Sequence, residues 1–173
     1  MGKRGDGFGS EDHFLRYRSD RPVELDRAIL AALQAPRGRL EWIYPCGVQD
    51  EREPTGVSFV EDPRISALWK DFWPQRGRAQ TWDGIAKLVN GDVVEWVLIE
   101  VKANAPEFVT PPCAASREGG RSVIERTLNR VKSELGVHRH HSWLGTYYQY
   151  ANRLAVLSFL NNRAKMPARL LHV

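Results

Sequence analysis

The sequence predicts an α/β fold with a mixed central sheet flanked by helices, and three observations predict it. Two apolar runs flank Asn90-Gly91 within residues 81–103, the strongest short signal for a two-residue hairpin. Both alternating sets of that hairpin are largely apolar, positions 82, 86, 88, 93, 97, 99 and 101 on one side and 85, 89, 94, 96 and 98 on the other. Such a sheet is covered on both faces, which implies an α/β sandwich and not an open sheet. Segments with helical spacing lie before and after it.

In chain order, residues 1–12 are rich in glycine and charge without periodicity and read as a mobile tail, leaving 13–173 as a single domain. From Pro22, apolar residues at 25, 29, 32 and 33 predict a helix over 22–34, with proline in its first turn. After Pro36-Arg37-Gly38, residues 39–44 read as a short strand stopped by Pro45, and 47–63 as an acidic loop. Ile65, Leu68, Trp69 and Phe72 form the apolar side of a short helix ended by Pro74 and Gly77. Beyond the hairpin, Pro106, Pro111-Pro112 and Gly119-Gly120 interrupt the chain before a helix over 121–135, ended by Gly136. A third long helix, 143–161, is apolar around most of its circumference and has Ser142 in the capping position. Pro167 leads into an apolar strand from Ala168.

Composition narrows the class. Apolar residues make up 42% of the 173 and charged residues 27%, with six Trp, six Phe and five Tyr, the balance of a soluble globular protein. Residues 1–10 hold no apolar run suited to a signal peptide, and no later segment offers eighteen uncharged apolar residues, so a cytoplasmic protein without membrane contact is the expectation. Cys46 and Cys113 lie far apart with no cysteine or histidine at ligand spacing and read as reduced thiols. The net charge of +4 is unevenly spread: residues 41–62 hold six acids against Arg52, while no acid follows Glu134 and that stretch carries Arg139, Arg153, Arg163, Lys165 and Arg169. One basic face suited to phosphate is one reading of this pattern, and an arginine-rich genome composition is the other.

The hairpin register decides whether three polar residues meet. With Asn90-Gly91 as the whole turn, Val89 faces Asp92 and Asp83 faces Leu98, which puts Asp83, Glu100 and Lys102 on one face at the end away from the turn. A shift of one residue would throw Asp83 to the other face. Two carboxylates beside a lysine in a sheet covered on both sides must be paired or hold a cation. Asp83, Glu100 and the Val101 carbonyl form a hard oxygen donor set suited to Mg²⁺, with Mn²⁺ as its substitute, and Lys102 is placed to orient or deprotonate a water. An ordinary salt bridge at the sheet edge is the alternative, since Glu-x-Lys alone is uninformative.

Asp83-Gly84 followed by Glu100-Val101-Lys102 resembles the PD-(D/E)XK nuclease superfamily, whose core runs helix, three-stranded meander, helix, strand. Residues 72–77, Phe-Trp-Pro-Gln-Arg-Gly, and 147–154, Tyr-Tyr-Gln-Tyr-Ala-Asn-Arg-Leu, are similar to stretches in a group of uncharacterised bacterial members. The resemblance implies a restriction-endonuclease-like three-layer sandwich and a Mg²⁺-dependent endo- or exonuclease acting on nucleic acid, DNA foremost; a homodimer is a separate expectation. By the same resemblance Asp83 and Glu100 are metal ligands, Lys102 is the catalytic lysine, and Gln149 on the long helix joins the site. Trp82 stands where many members carry proline before the first acid.

Other candidates are weaker. Gln149 with Arg153 one turn on is equally a glutamine beneath a surface arginine. Glu24 suits a helix start electrostatically. Residues 138–141, His-Arg-His-His, read as a solvated loop, and Trp69, Phe72 and Trp73 as core or lid before any base-stacking role. No phosphate-cradling glycine loop and no nucleophile elbow occurs, which argues against NTPases and serine hydrolases. A binding module that keeps the fold without catalysis is the competing function.

Overall fold

Three strands run as an antiparallel meander and a fourth lies parallel at its edge. The computed structural model describes residues 9–46, 53–75, 79–137 and 141–173. Its sheet has the order β1 (Arg39–Tyr44), β2 (Gly84–Asn90), β3 (Val93–Glu100), β4 (Ala168–His172). The β1–β2 and β2–β3 pairs are antiparallel and β3–β4 is parallel, so the sheet is mixed and does not close. Five α-helices accompany it among the described residues: α1 (Ser10–Asp20), α2 (Pro22–Ala32), α3 (Pro63–Phe72), α4 (Ser122–Glu134) and α5 (Tyr148–Ser158). The predicted α/β class is met at this level. No helix among the described residues is long and apolar enough to cross a membrane.

The chain divides into two compact units, one of residues 1–53, 82–103 and 167–173, the other of 54–81 and 104–166, where the sequence was read as a single domain over 13–173. The first unit carries the sheet with α1 and α2. Its core joins Phe14 of α1 and Leu25, Ile29 and Leu33 of the α2 segment to Ala86, Leu88, Val97, Ile99 and Val101 on one sheet face. On the opposite face Ile85 and Leu98 are also fully buried, as the doubly apolar hairpin pattern requires.

Helix α2 matches its prediction at the start and stops by a different device. Gln34 takes φ 55, and the amides of Gln34 and Ala35 bond back to the carbonyls of Ala31 and Leu30, at 3.0 and 2.9 Å. That pair of bonds satisfies the last carbonyls of the helix before Pro36 is reached. Helix α1 overturns the reading of 1–12 as a tail, because residues 10–12 are already helical; residues 1–8 lie outside the described set. Only Phe14 of α1 is buried, so the segment lacks the apolar periodicity from which a helix is read.

The second unit packs α3, α4 and α5 around an aromatic cluster. Trp69 lies 5.0 Å from Phe159 and stacks on Trp73 at 6.1 Å between ring centroids, and all three, with Phe72, are buried. These rings form core rather than a base-stacking platform. Helix α4 closes at Gly136, whose φ of 67 and whose bond pattern with Val137 repeat the device at the end of α2. Helix α5 starts five residues later than predicted and without Ser142 as its cap. Tyr147 stands at φ 71, a left-handed conformation that no α-helix continues through, and Ser142 Oγ instead accepts from the nearby Leu144 amide at 3.2 Å. A π-type turn, Phe159–Ala164, extends the helix beyond Ser158.

Asp62 caps α3 by accepting the Arg64 backbone N–H at 2.8 Å, and the Arg64 guanidinium reaches the same carboxylate at 2.8 Å. The guanidinium hydrogen bond, followed by the backbone one, holds the Asp62 carboxyl down from 3.8 to about 2. A carboxyl whose folded value lies below its unfolded one stabilises the fold above the unfolded value and loses that contribution as the pH falls through the folded one. Carboxyl-carbon NMR titration is therefore expected to give Asp62 a midpoint near 2, rising toward the ordinary value in Arg64→Ala; an ordinary midpoint in the parent chain would refute the cap.

Candidate functional site: the open end of the hairpin

Turn chemistry sets the position of every residue at the far end of β2 and β3. Asn90 pairs with Val93, so the two-residue loop is Gly91-Asp92 and not Asn90-Gly91. Gly91 takes φ 62, the sign that the first loop position of a Gly-x hairpin turn demands. The observed ladder, Val89 with Val94 through Gly84 with Ile99, is offset by two residues from the predicted one. An offset of two preserves the side on which each residue points. Asp83, Glu100 and Lys102 therefore keep the common parity expected of them, and Asp83 falls next to the Glu100 position rather than next to Leu98.

Side-chain bonds then join the three. Asp83 Oδ2 accepts the Val101 backbone N–H at 2.7 Å, which fastens the acid to the residue between Glu100 and Lys102. Lys102 Nζ donates to Glu100 Oε1 at 2.7 Å, with the two side chains 13% and 3% exposed. Glycine follows Asp83 for a steric reason. A Cβ on Gly84 would stand 3.2 Å from both Ile99 Cβ and the Phe14 ring, so α1 packs directly on the backbone beside the acid. Strand β4 closes the other flank: the Lys102 amide donates to the Val173 carbonyl at 2.9 Å and the Val173 amide to the Glu100 carbonyl at 3.1 Å.

The parallel register also sets His172 opposite Glu100, on the same side of the sheet by parity. Sequence reading missed this imidazole. Its only signal was a histidine at the end of the last apolar run, and the pairing that brings it to Glu100 is invisible without the β3–β4 register.

The donor set suits a hard divalent cation. Carboxylates of Asp83 and Glu100 and the Val101 carbonyl are all oxygen ligands, and Mg²⁺ needs only one or two carboxylates because it retains waters. Among the described residues no group of three or more His, Cys, Asp or Glu is arranged as a metal cluster, so such an ion would depend on two acids with backbone and water. Gln149 lies on α5 in the second unit, half-buried, with its backbone N–H donating to Thr110 Oγ1 at 3.2 Å.

The remaining candidates distribute unevenly. Glu24 is an exposed acid in the first turn of α2. Residues 138–140 lie outside the described set, and the carbonyl of His141 accepts from Lys132 Nζ at 2.8 Å. The basic residues of the acid-poor C-terminal stretch differ in their surroundings among the described residues. Arg153 is buried, and Arg169 is committed to Glu95 at 2.6 Å and to the Leu33 carbonyl at 2.8 Å, while Arg163 and Lys165 are exposed. Cys46 is exposed and Cys113 buried.

A pair as dry as Glu100 and Lys102 is stable only as a pair. Removing one partner takes its ion-pair contact from a buried charge, at a cost of about 3 kcal/mol or more, whereas replacing both with apolar groups is close to neutral. Urea unfolding is expected to show Glu100→Leu and Lys102→Met each strongly destabilised, with much of the loss recovered in the double variant. Additive losses would mean that the two groups do not depend on each other.

Comparison with protein-family models, with curated proteins and with solved structures finds no match for this chain, so the reading of the site rests on its own residues.

Proposed function

We propose that the chain is a metal-dependent nuclease hydrolysing phosphodiester bonds in nucleic acid, with DNA as its first substrate class and Mg²⁺, or Mn²⁺ in its place, as its cofactor. One observation carries the proposal: two acids and a lysine from neighbouring strands meet at the open end of the hairpin, where Ile85, Val97, Leu98 and Ile99 beside them are fully buried. Charged groups in such surroundings need pairing or a cation. The order of α2, the β1–β2–β3 meander, α5 and the parallel β4 supports the finer reading of the fold as a restriction-endonuclease-like three-layer sandwich.

In this reading Asp83 and Glu100, with the Val101 carbonyl, hold the metal. The cation would supply Lewis acidity toward a phosphate oxygen and acidify water. The Val101 amide fixes the orientation of Asp83 before substrate arrives, so less reorganisation is left for the reacting complex. Lys102 carries its amine to the edge of Glu100, where it orients a water by hydrogen bond and offsets charge developing on the phosphate.

A second reading draws on the same ion pair. Because Lys102 already meets Glu100 at 2.7 Å, a catalytically silent module that binds nucleic acid or a protein on this fold would need no metal at all.

Asp83→Asn separates the two readings. Asparagine keeps an oxygen to accept the Val101 N–H while removing the negative charge, so the fold is retained and the metal is not. Cleavage of plasmid and single-stranded DNA in Mg²⁺ is expected to fall by about a hundredfold or more in Asp83→Asn and in Lys102→Gln. Folding of each variant is checked by circular dichroism. Equal cleavage by parent and variants removes the nuclease reading, and salt-sensitive DNA binding that ignores metal favours the silent module.

A further inference from the structure

The chain's positive charge divides unevenly between its two units. Residues 54–81 and 104–166 hold thirteen Lys and Arg against seven Asp and Glu, while the rest of the chain holds twelve against fourteen. The whole excess of +4 thus belongs to the second unit, which is not the one that carries Asp83, Glu100 and Lys102. How far that excess can act on a partner depends on how much of it is already paired.

Helix α4 carries basic side chains that are not. Its inner side is Ile124, Thr127, Leu128 and Val131, all buried, and the Thr127 hydroxyl donates to the Phe72 carbonyl at 2.8 Å, which ties the helix to the end of α3. Arg126 and Arg130 lie on the solvent side, both exposed and four residues apart, which places them about 6 Å from each other along the axis. Among the described residues neither guanidinium has an ion pair or a hydrogen bond. By contrast Arg64, Arg121, Lys132 and Arg153 of the same unit each donate to a protein oxygen.

The two arginines also share a hollow. With Asp71, Phe72, Val123 and Thr127 they line a cleft of about 100 Å³ between α3 and α4. That is well below the volume of about 300–1,000 Å³ typical of small-molecule sites, so the cleft suits one compact group of a larger ligand that approaches from outside. Asp71 is the acid among these lining residues, and Glu125 is the acid next to Arg126 on the helix. Among the described residues neither forms an ion pair with the arginines, and two guanidinium groups against the Asp71 carboxylate leave the cleft with an excess of positive charge.

Spacing and exposure select the ligand. A lone small anion meets solvated, unburied cations and gains little from them. A chain of phosphates offers each guanidinium its own partner, pairs with it through two oxygens, and releases condensed counterions on contact. We propose that α4 docks the phosphodiester backbone of DNA on Arg126 and Arg130, with one phosphate at the mouth of the cleft. The inference rests on the proposed nucleic-acid substrate and not on the metal or on catalysis.

Fluorescence anisotropy of the full chain with a short labelled DNA duplex in EDTA, between about 50 and 200 mM salt, tests it. The double variant Arg126→Gln/Arg130→Gln is expected to bind about tenfold more weakly or worse. It is also expected to lower the slope of log affinity against log salt by roughly 1.8, about 0.9 for each phosphate contact removed. Arg27→Gln/Arg37→Gln makes the same charge change at exposed positions of the first unit and is expected to keep the parent slope. Asp71→Asn, which takes the acid out of the cleft, is expected to tighten binding by about twofold or more. An unchanged slope in the Arg126/Arg130 variant overturns the proposal, as does an equal loss in the Arg27/Arg37 variant. Asp71→Asn that binds no tighter, or poly-glutamate that binds the parent as tightly as the duplex does, overturns it as well. Because binding is read without metal, this result stands or falls separately from the cleavage assay on Asp83→Asn.

Discussion

The hydrogen bond from the Val101 amide to Asp83 Oδ2 fixes everything that the open end of the hairpin can do. It forms only because β2 and β3 pair so that Gly84 meets Ile99, and that pairing is set nine residues away by the Gly91-Asp92 turn. A slip of one residue would turn Asp83 to the other face of the sheet, where Ala86, Leu88, Val97 and Ile99 pack against α1 and α2. The carboxylate would then lie in an apolar core with no amide to meet it. Burial on both faces at the open half of the hairpin, where Ile85, Ala86, Val97, Leu98 and Ile99 are all buried, penalises that slip, so these apolar residues enforce the geometry of the charged ones beside them.

Energetics and chemistry share the same side chains here. Glu100 and Lys102 are too dry to be left singly charged, which makes each a condition of the other's presence. As a structural device the pair offers little that two leucines would not. In the proposed reading, a carboxylate and an amine kept at this end of the sheet, beside a second acid fastened to the intervening amide, form a group prepared for a cation and a phosphate. Preparation of this kind places the free-energy cost in folding instead of in the reacting complex.

Much of this was legible in the sequence where a pattern had one physical solution. Strand β1 follows from six residues between Gly38 and Pro45, and the hairpin from its alternation. The turn was misplaced because Asn-Gly and Gly-Asp overlap in Asn90-Gly91-Asp92 and both satisfy a two-residue loop. The face assignment survived only because the two alternatives differ by an even number. Helix α1 was illegible, since a single buried side chain, Phe14, gives no period to read. The start of α5 was misjudged because the apolar run continues back to Trp143, while the chain itself breaks at Tyr147 by adopting a left-handed conformation. His172 beside Glu100 is a product of tertiary pairing that local sequence does not encode.

The central claim is that Asp83 and Glu100 share a cation at the end of the hairpin far from its turn. Titrating the full chain with sub-stoichiometric Mn²⁺ and following backbone amide signals by NMR tests it directly. The predicted result is early, selective loss of the amide signals of Asp83 and residues 100–102, with Gly91 and Asp92, about 30 Å away along the strands, unaffected. Signals that vanish first elsewhere in the chain, or that persist at the hairpin's open end through saturating Mn²⁺, would contradict it.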